Sequence, residues 1–302
     1  MAKTREIKKR IKAVGNIRRI TKTMQMIATA KFAASQQRST AGKPYTETLF
    51  ELVTELARAI EGVSHPLLGG SKSSAEAKPL TLIVTSDRGL CGPYNGSVLR
   101  TAMGHLKANP ASKTGIIEVV GKKGMGFLRF AGVEVTRQHS QFGDKPKFED
   151  VQDLAQVYID KFVRGEVSSV HVVYMKYVSA GKQSPTVMQL LPFQAETAGS
   201  AKSASSASSG ATSSGAASIY EFSPDAESLL NDLLPAAVKA VLFQSFNDAI
   251  VSENVARMVA MKSATDNAGK MGKRLTRVYN RARQAQITTE LTEIISGAAA
   301  LE

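Results

Sequence analysis

The stretch from Val238 to Ser296 contains no proline, and its apolar residues recur at helical spacing. A continuous helix over that span would be about 88 Å long at 1.5 Å per residue, far longer than one compact domain requires. Within it Met271, Leu275, Val278, Ala282 and Ala285 are spaced four, three, four, three, which is the seam of a coiled coil. The other end of the chain carries a matching signal. From Thr4 to about Ile60, Ile7, Ile11, Val14, Ile17, Ile20, Met24 and Ile27 recur every three or four residues, with Lys8, Lys12, Arg19 and Lys22 on the opposite face. Gly15 and the group Gly42-Lys43-Pro44 are the only breakers there, and the second predicts a kink or short interruption. Ser223-Pro224-Asp225 reads as the start of the C-terminal helix, with a capping hydroxyl, a proline in the first turn and an acid behind it. Pro235 predicts an early kink and Gly297 a stop. Two very long helices with one-sided apolar seams can bury those seams against each other as an antiparallel pair.

Between these ends the period changes. Leu80–Thr85, Gly115–Val120, Val133–Thr136, Val170–Tyr177 and Thr186–Leu191 are short β-branched runs. Helical stretches separate them, clearest at Val98–Lys107 and Phe148–Val163. The expected fold is α/β: a long antiparallel coiled coil of the N- and C-terminal helices plus a small Rossmann-like α/β domain with a partly parallel sheet. The expected division is 1–60 for an N-terminal shaft helix, 61–196 for the α/β domain and 219–302 for a C-terminal shaft helix. Residues 197–218 hold nine Ser, seven Ala and three Gly, with Lys202 the only charge, and read as a flexible surface insertion.

The net charge is +13, and between Met1 and Lys43 there are twelve Lys or Arg against one acid, Glu6. So concentrated a basic segment calls for an acidic partner: nucleic acid, lipid headgroups or a protein surface. Nucleic-acid readout would use aromatics along the face, and the first 31 residues contain none. That reading stands second. No apolar run of the roughly 18 residues needed to cross a membrane is evident, and Met1 to Lys12 is too charged for a secretory signal.

A search for chemistry finds no constellation of an enzyme. Cys91 is the only cysteine, and the histidines at 65, 105, 139 and 171 fall in different elements, so they read as loop or surface residues and no metal site is expected. Ser86-Asp87-Arg88-Gly89-Leu90-Cys91-Gly92 follows a strand and precedes a helix, the context of an anion loop, but lacks the G-x-x-x-x-G-K-[ST] spacing. Asp87 and Arg88 are expected to pair with each other or with the turn backbone, and Cys91 to be a small packing residue. Gly121-Lys122-Lys123-Gly124-Met125-Gly126 reads as a solvated turn. No cofactor is expected.

Several segments carry a resemblance. REIKKRIKAVGNIRRITKTMQMIATAKF at the N-terminus, TSDRGLCGPYN at Thr85–Asn95, ENVARMVAMKSATDNAG at Glu253–Gly269 and LTRVYNRARQAQITTELTEIISGAAA at Leu275–Ala300 resemble the gamma subunits of F-type ATP synthases. The resemblance implies a non-catalytic central stalk that carries torque between a proton-driven membrane c-ring and the catalytic alpha3beta3 hexamer. It implies alpha, beta and epsilon subunits and the c-ring as partners, with no nucleic acid and no insertion into the bilayer. By the same resemblance Met24, Arg257, Arg283, Gln284 and Thr288 match positions that meet the beta subunits, whose lever loops are acidic. One cysteine excludes a plastid-type redox pair, and the first residues leave no room for a transit peptide. The resemblance therefore implies a bacterial complex on the cytoplasmic side of the plasma membrane.

Overall fold

In the computed structural model residues 2–59, 65–69, 77–193 and 226–299 are described. The Ser/Ala-rich insertion at 197–218 and the helix start at Ser223-Pro224-Asp225 lie outside them. The elements in order are α1 (Ala2–Ala59), a 3₁₀ turn (Pro66–Leu68), β1 (Lys78–Val84), α2 (Tyr94–Ala108), α3 (Pro110–Lys113), β2 (Ile116–Val120), α4 (Lys122–Phe130), β3 (Arg137–His139), α5 (Phe148–Val163), β4 (Val167–Ser179), β5 (Lys182–Leu191) and α6 (Ala226–Ala299). They form two compact units. One comprises Met1–Lys31, Leu90–Gly92 and Asn254–Glu302; the other comprises Phe32–Gly89 and Pro93–Glu253.

The larger unit is built on a five-stranded sheet in the order β3-β2-β1-β4-β5. β1 pairs in parallel with β2 and β4, β2 pairs in parallel with β3, and β5 is an antiparallel edge on β4. Side chains alternate across a strand, and the two faces take different partners. Leu80, Leu82, Val84, Val170, Val172 and Tyr174 join one core with Leu49 and Val53 of α1, Tyr158 and Phe162 of α5, and Leu234, Val238 and Phe246 of α6. On the other face His171 meets His105 of α2, with ring centroids 4.9 Å apart.

Four sequence expectations are not met: an interruption of α1 at 42–44, a stop of α6 at Gly297, a strand at Val133–Thr136 and the lack of a long apolar window. α1 runs without interruption through Gly42-Lys43-Pro44. An interior proline costs a helix about 3 kcal/mol, whereas burying Leu49, Val53 and Leu56 one to three turns later returns about 1.5–3 kcal/mol each. Likewise α6 continues through Pro235 and through Gly297 to Ala299. The run Val133–Thr136 is not a strand: the Val133 N–H closes the end of α4 on the Leu128 carbonyl, and the strand begins after Thr136, at Arg137. Finally, α6 does contain a window apolar enough by length and composition to cross a membrane, with mean hydropathy 1.2. Leu230, Leu234, Val238, Leu242 and Phe246 of that helix are spent on the protein's own core.

The histidine pair yields a pH prediction. Burial, then the facing His105, lowers the His171 pKa from 6.5 to about 4; burial lowers that of His105 as well. As pH falls the unfolded chain therefore takes up a proton before the folded one does. The stability tied to His171 is complete above pH 6.5 and is lost as pH falls from 6.5 toward about 4. With allowance for its partial exposure the loss is about 2 kcal/mol. Thermal melts between pH 7 and 4.5 should fall less steeply for His171→Phe than for the unaltered chain. Parallel curves would show that the pair contributes nothing to acid sensitivity.

Candidate functional site

The smaller unit is a pair of helix segments. Thr265 Oγ1 donates to Thr21 Oγ1 at 2.9 Å and Thr4 Oγ1 donates to Gln286 Oε1 at 3.2 Å. Gly269 faces Arg18 and Gly272 faces Val14. Partner numbers climb along α6 as they fall along α1, so the segments run antiparallel. Within this unit the side of α1 turned to its partner is Thr4, Ile7, Ile11, Val14, Thr21, Met24 and Ala28, all buried or half-buried and spaced three or four apart except across the full heptad from Val14 to Thr21. On α6 it is Met261, Thr265, Ala268, Gly272, Leu275, Tyr279, Ala282 and Gln286.

Of the seam read from the sequence, Ile7, Ile11, Val14, Met24, Leu275 and Ala282 lie on this contact, and the other positions do not. Met271 and Val278 of α6, and Ile17, Ile20 and Ile27 of α1, lie 46–58 % exposed, away from the partner segment. Among the residues that do meet, Thr21, Ala28, Thr265, Ala268, Gly272 and Ala282 are small or short and let the backbones approach. A second apolar set is left on the outside, interleaved with exposed Lys8, Lys12, Arg19, Lys22, Lys270 and Arg277. Of the residues singled out by resemblance, Met24 and Arg257 are half-buried, and Arg283, Gln284 and Thr288 are exposed. The last two share a turn, the Thr288 hydroxyl donating to the Gln284 carbonyl at 3.0 Å.

The larger unit holds a feature that resembles a nucleotide loop. In open α/β sheets ligands sit outside the carboxyl ends of the strands, against helix N-termini. Here Gly121, at φ +92°, caps α4, so the stretch 121–126 begins a helix and is not a solvated turn. The N-terminal amides of α4 are already engaged: Lys122 N–H donates to Asp87 Oδ1 at 3.1 Å, Lys123 N–H to the Ser86 carbonyl at 3.1 Å, and Gly124 N–H to Thr85 Oγ1 at 3.0 Å. The Asp87 carboxylate thus occupies the place an anion would take. A Cβ on Gly121 would stand 2.4 Å from the Thr85 carbonyl oxygen, and one on Gly124 would stand 2.5 Å from Thr85 Oγ1. These glycines serve close packing. Ser86 is pinned in turn by Asn95, whose Oδ1 accepts from the Ser86 N–H at 3.0 Å. The remaining crevice, bordered by Thr85, Asp87, His139 and Asp144, is closed by Phe246, Ala249, Ile250 and Glu253 of α6. A space of ≈ 30 Å³ is left, about one water. Cys91 is buried, as its packing role requires.

The chain matches the ATP synthase family over residues 3–301. It is 42% identical to the ATP synthase gamma chain of Rhodopirellula baltica and 38% identical to that of Methylibium petroleiphilum, in both cases with 100% of each chain covered. This chain belongs to the ATP synthase gamma family. Solved structures agree at the level of fold. The rotor of the Euglena gracilis mitochondrial ATP synthase matches with a TM-score of 0.61 at 16% identity, covering 95% of this chain and 99% of that one. A chain of the Tetrahymena thermophila central stalk and c-ring assembly matches at 0.54 and 19% identity, covering 81% and 99%. In this gamma-family chain the long helices pack together in the smaller unit, and the larger unit holds a mostly parallel five-stranded sheet.

Sequence reasoning missed a buried polar cluster. His139 is 1% exposed, not a loop or surface histidine, and its Nε2 lies 2.6 Å from Glu118 Oε2. Tyr158 Oη donates to the same oxygen at 2.7 Å. Burial pushes the Glu118 carboxyl up, but the bonds from His139 and Tyr158, with the charges of His139 and Lys161, outweigh it and hold its pKa below the usual value. Its signal was there to find: an acid in the middle of the apolar strand Ile116-Ile117-Glu118-Val119-Val120 needs a buried partner.

Proposed function

We propose that this chain is the central rotor stalk of a bacterial F-type ATP synthase, itself without catalytic chemistry, transmitting torque between the membrane c-ring and the alpha3beta3 hexamer. The observation that carries the reading is the antiparallel helix pair of the smaller unit, with an outer face that alternates exposed apolar side chains with Lys and Arg. An apolar and cationic rod suits a socket with apolar walls and acidic loops. Many exposed charge contacts of about 0–1 kcal/mol each hold a rod centred without fixing one angle. Met24, Arg257, Arg283, Gln284 and Thr288 are the residues proposed to meet the beta subunits, and the epsilon subunit and the c-ring complete the partners. The complex belongs to the cytoplasmic face of the plasma membrane, and this chain is peripheral to the bilayer. Proton flow is the proposed drive. The self-occupied anion position at Asp87 supports a chain that leaves nucleotide chemistry to its partners.

The test is co-purification. A tagged chain should bring down alpha, beta and epsilon subunits from detergent-solubilised membranes, and the isolated chain should show no ATP binding at micromolar nucleotide. Recovery of nucleic acid in their place, or micromolar ATP binding that is abolished by Arg88→Ala, would overturn the reading.

A further inference from the structure

Asp248 is a carboxylate 5% exposed in the interior of the larger unit, where α6 passes between α1 and β4. Its Oδ1 accepts from Ser39 Oγ of α1 at 3.1 Å and from Gln244 Nε2, one turn back on α6, at 2.9 Å. The same Gln244 nitrogen donates to Ser39 Oγ at 3.0 Å, which closes a triangle of hydrogen bonds across the two helices. Gln244 Oε1 lies over Gly42, where a Cβ would stand 3.6 Å away, so the helices approach closely at this point. One turn further along α6, Ser252 Oγ donates to the Met175 carbonyl of β4 at 3.2 Å. Lys43 of α1 and Lys176 of β4 are the cations that act on the carboxylate, and Tyr174 and Tyr177 of β4 also face it. Burial nonetheless leaves its pKa raised.

A buried charge is a poor source of stability, since apolar side chains of similar volume commonly do as well or better. What such a group supplies is register: one arrangement satisfies it, and sliding or rotating either helix leaves it unpaired. Leu242, Phe246 and Ala249, which flank Asp248 along α6, belong to the apolar core and offer no directional bond that would fix a register.

We infer that the Asp248–Ser39–Gln244 triangle is a register lock that fixes α6 against α1 and β4, so that torque borne by the long helices reaches the α/β fold without slip. These are positioning residues, and the inference rests on the rotor reading above. An apolar residue at 248 keeps the packing and removes the lock.

The experiment uses whole ATP synthase in inverted membrane vesicles, with ATP hydrolysis and ATP-driven acidification measured side by side. Asp248→Leu should assemble, retain hydrolysis and lose most of its proton pumping, while Asp248→Asn, which keeps the Oδ1 acceptor, should pump like the unaltered complex. Ser39→Ala combined with Gln244→Met, which removes both donors, should lose pumping relative to hydrolysis, and this pair decides the matter if Asp248→Leu fails to assemble. Pumping at the unaltered ratio in either apolar variant would overturn the lock. So would parallel loss of hydrolysis and pumping, or an Asp248→Asn as uncoupled as Asp248→Leu. Failure of the rotor reading is distinguishable, because the unaltered chain would then be absent from the complex.

Discussion

Replacing Glu118 by leucine is expected to destabilise the larger unit by about 3 kcal/mol, lowering its melting temperature by roughly 6–12 °C for a fold of this size. Glu118 Oε2 is the acceptor for the Tyr158 hydroxyl and the partner of His139 Nε2, and all three side chains are inaccessible to water. Without the carboxylate, a phenol and an imidazole are stranded in the core, and Lys161, 4.0 Å from Glu118 Oε1, loses its counter-charge. The lost acceptor costs more than leucine's apolar surface returns. Removing the whole cluster reverses the sign of the argument. A triple variant, Glu118→Leu with His139→Leu and Tyr158→Phe, leaves of the cluster only Lys161, whose side chain is 29% exposed and reaches water, and should recover most of the loss. Circular-dichroism melts of the two variants against the unaltered chain check this. If the single variant melts within a degree or two of the unaltered chain, or the triple variant is the worse of the two, the cluster is not held by its carboxylate.

What was legible in the sequence followed local physics. The helix Phe148–Val163 and the sheet strands around Leu80–Thr85 and Gly115–Val120 were readable because apolar spacing within a few residues determines them. The long terminal helices were readable for the same reason. Their seam was not. Ile17, Ile20 and Ile27 sit at the same spacing as Ile7, Ile11 and Val14, and hydrophobicity cannot tell a side chain that meets the paired helix from one that awaits another surface. A rod with apolar residues on both sides gives two candidate seams, and the buried one is chosen by small residues such as Ala268 and Gly272, which propensity scales ignore. The polar clusters failed for another reason: their members are distant in sequence. Ser39 and Asp248 are 209 residues apart, and Glu118 and Tyr158 are 40 apart. His105 and His171 were read as separate surface residues until the sheet order set α2 over β4. Gly121 and Gly124 read as a loop because glycine marks turns; here the cause is the closeness of Thr85.

Met24→Lys is expected to leave assembly intact and to cost the complex most of its coupling. Met24 is half-buried on the side of α1 that turns toward α6, between exposed Lys22 and Met26. A lysine there can lay its stem along the seam and carry its ammonium outward, so folding of the helix pair changes little. The consequence arises at the proposed socket. Methionine is uncharged, flexible and polarisable, suited to a sliding contact. An ammonium within reach of an acidic loop in a partly desolvated gap makes a charge-assisted bond of about 1.5–3 kcal/mol, against about 0–1 kcal/mol for an exposed pair. That bond forms at one rotational angle and must break on every turn. A bond of that size lengthens the dwell by roughly tenfold to a hundredfold, and a rotor held at one angle delivers torque unevenly. Proton pumping should therefore fall much further than ATP hydrolysis, while Met24→Leu, which adds no charge, should behave like the unaltered complex. Raising ionic strength should relieve the lysine variant only in part, because a desolvated pair is screened less than an exposed one. If Met24→Lys pumps as well as Met24→Leu, residue 24 does not meet an acidic loop, and the contact belongs to the exposed residues beside it, with Met26 and Ile27 the next to substitute.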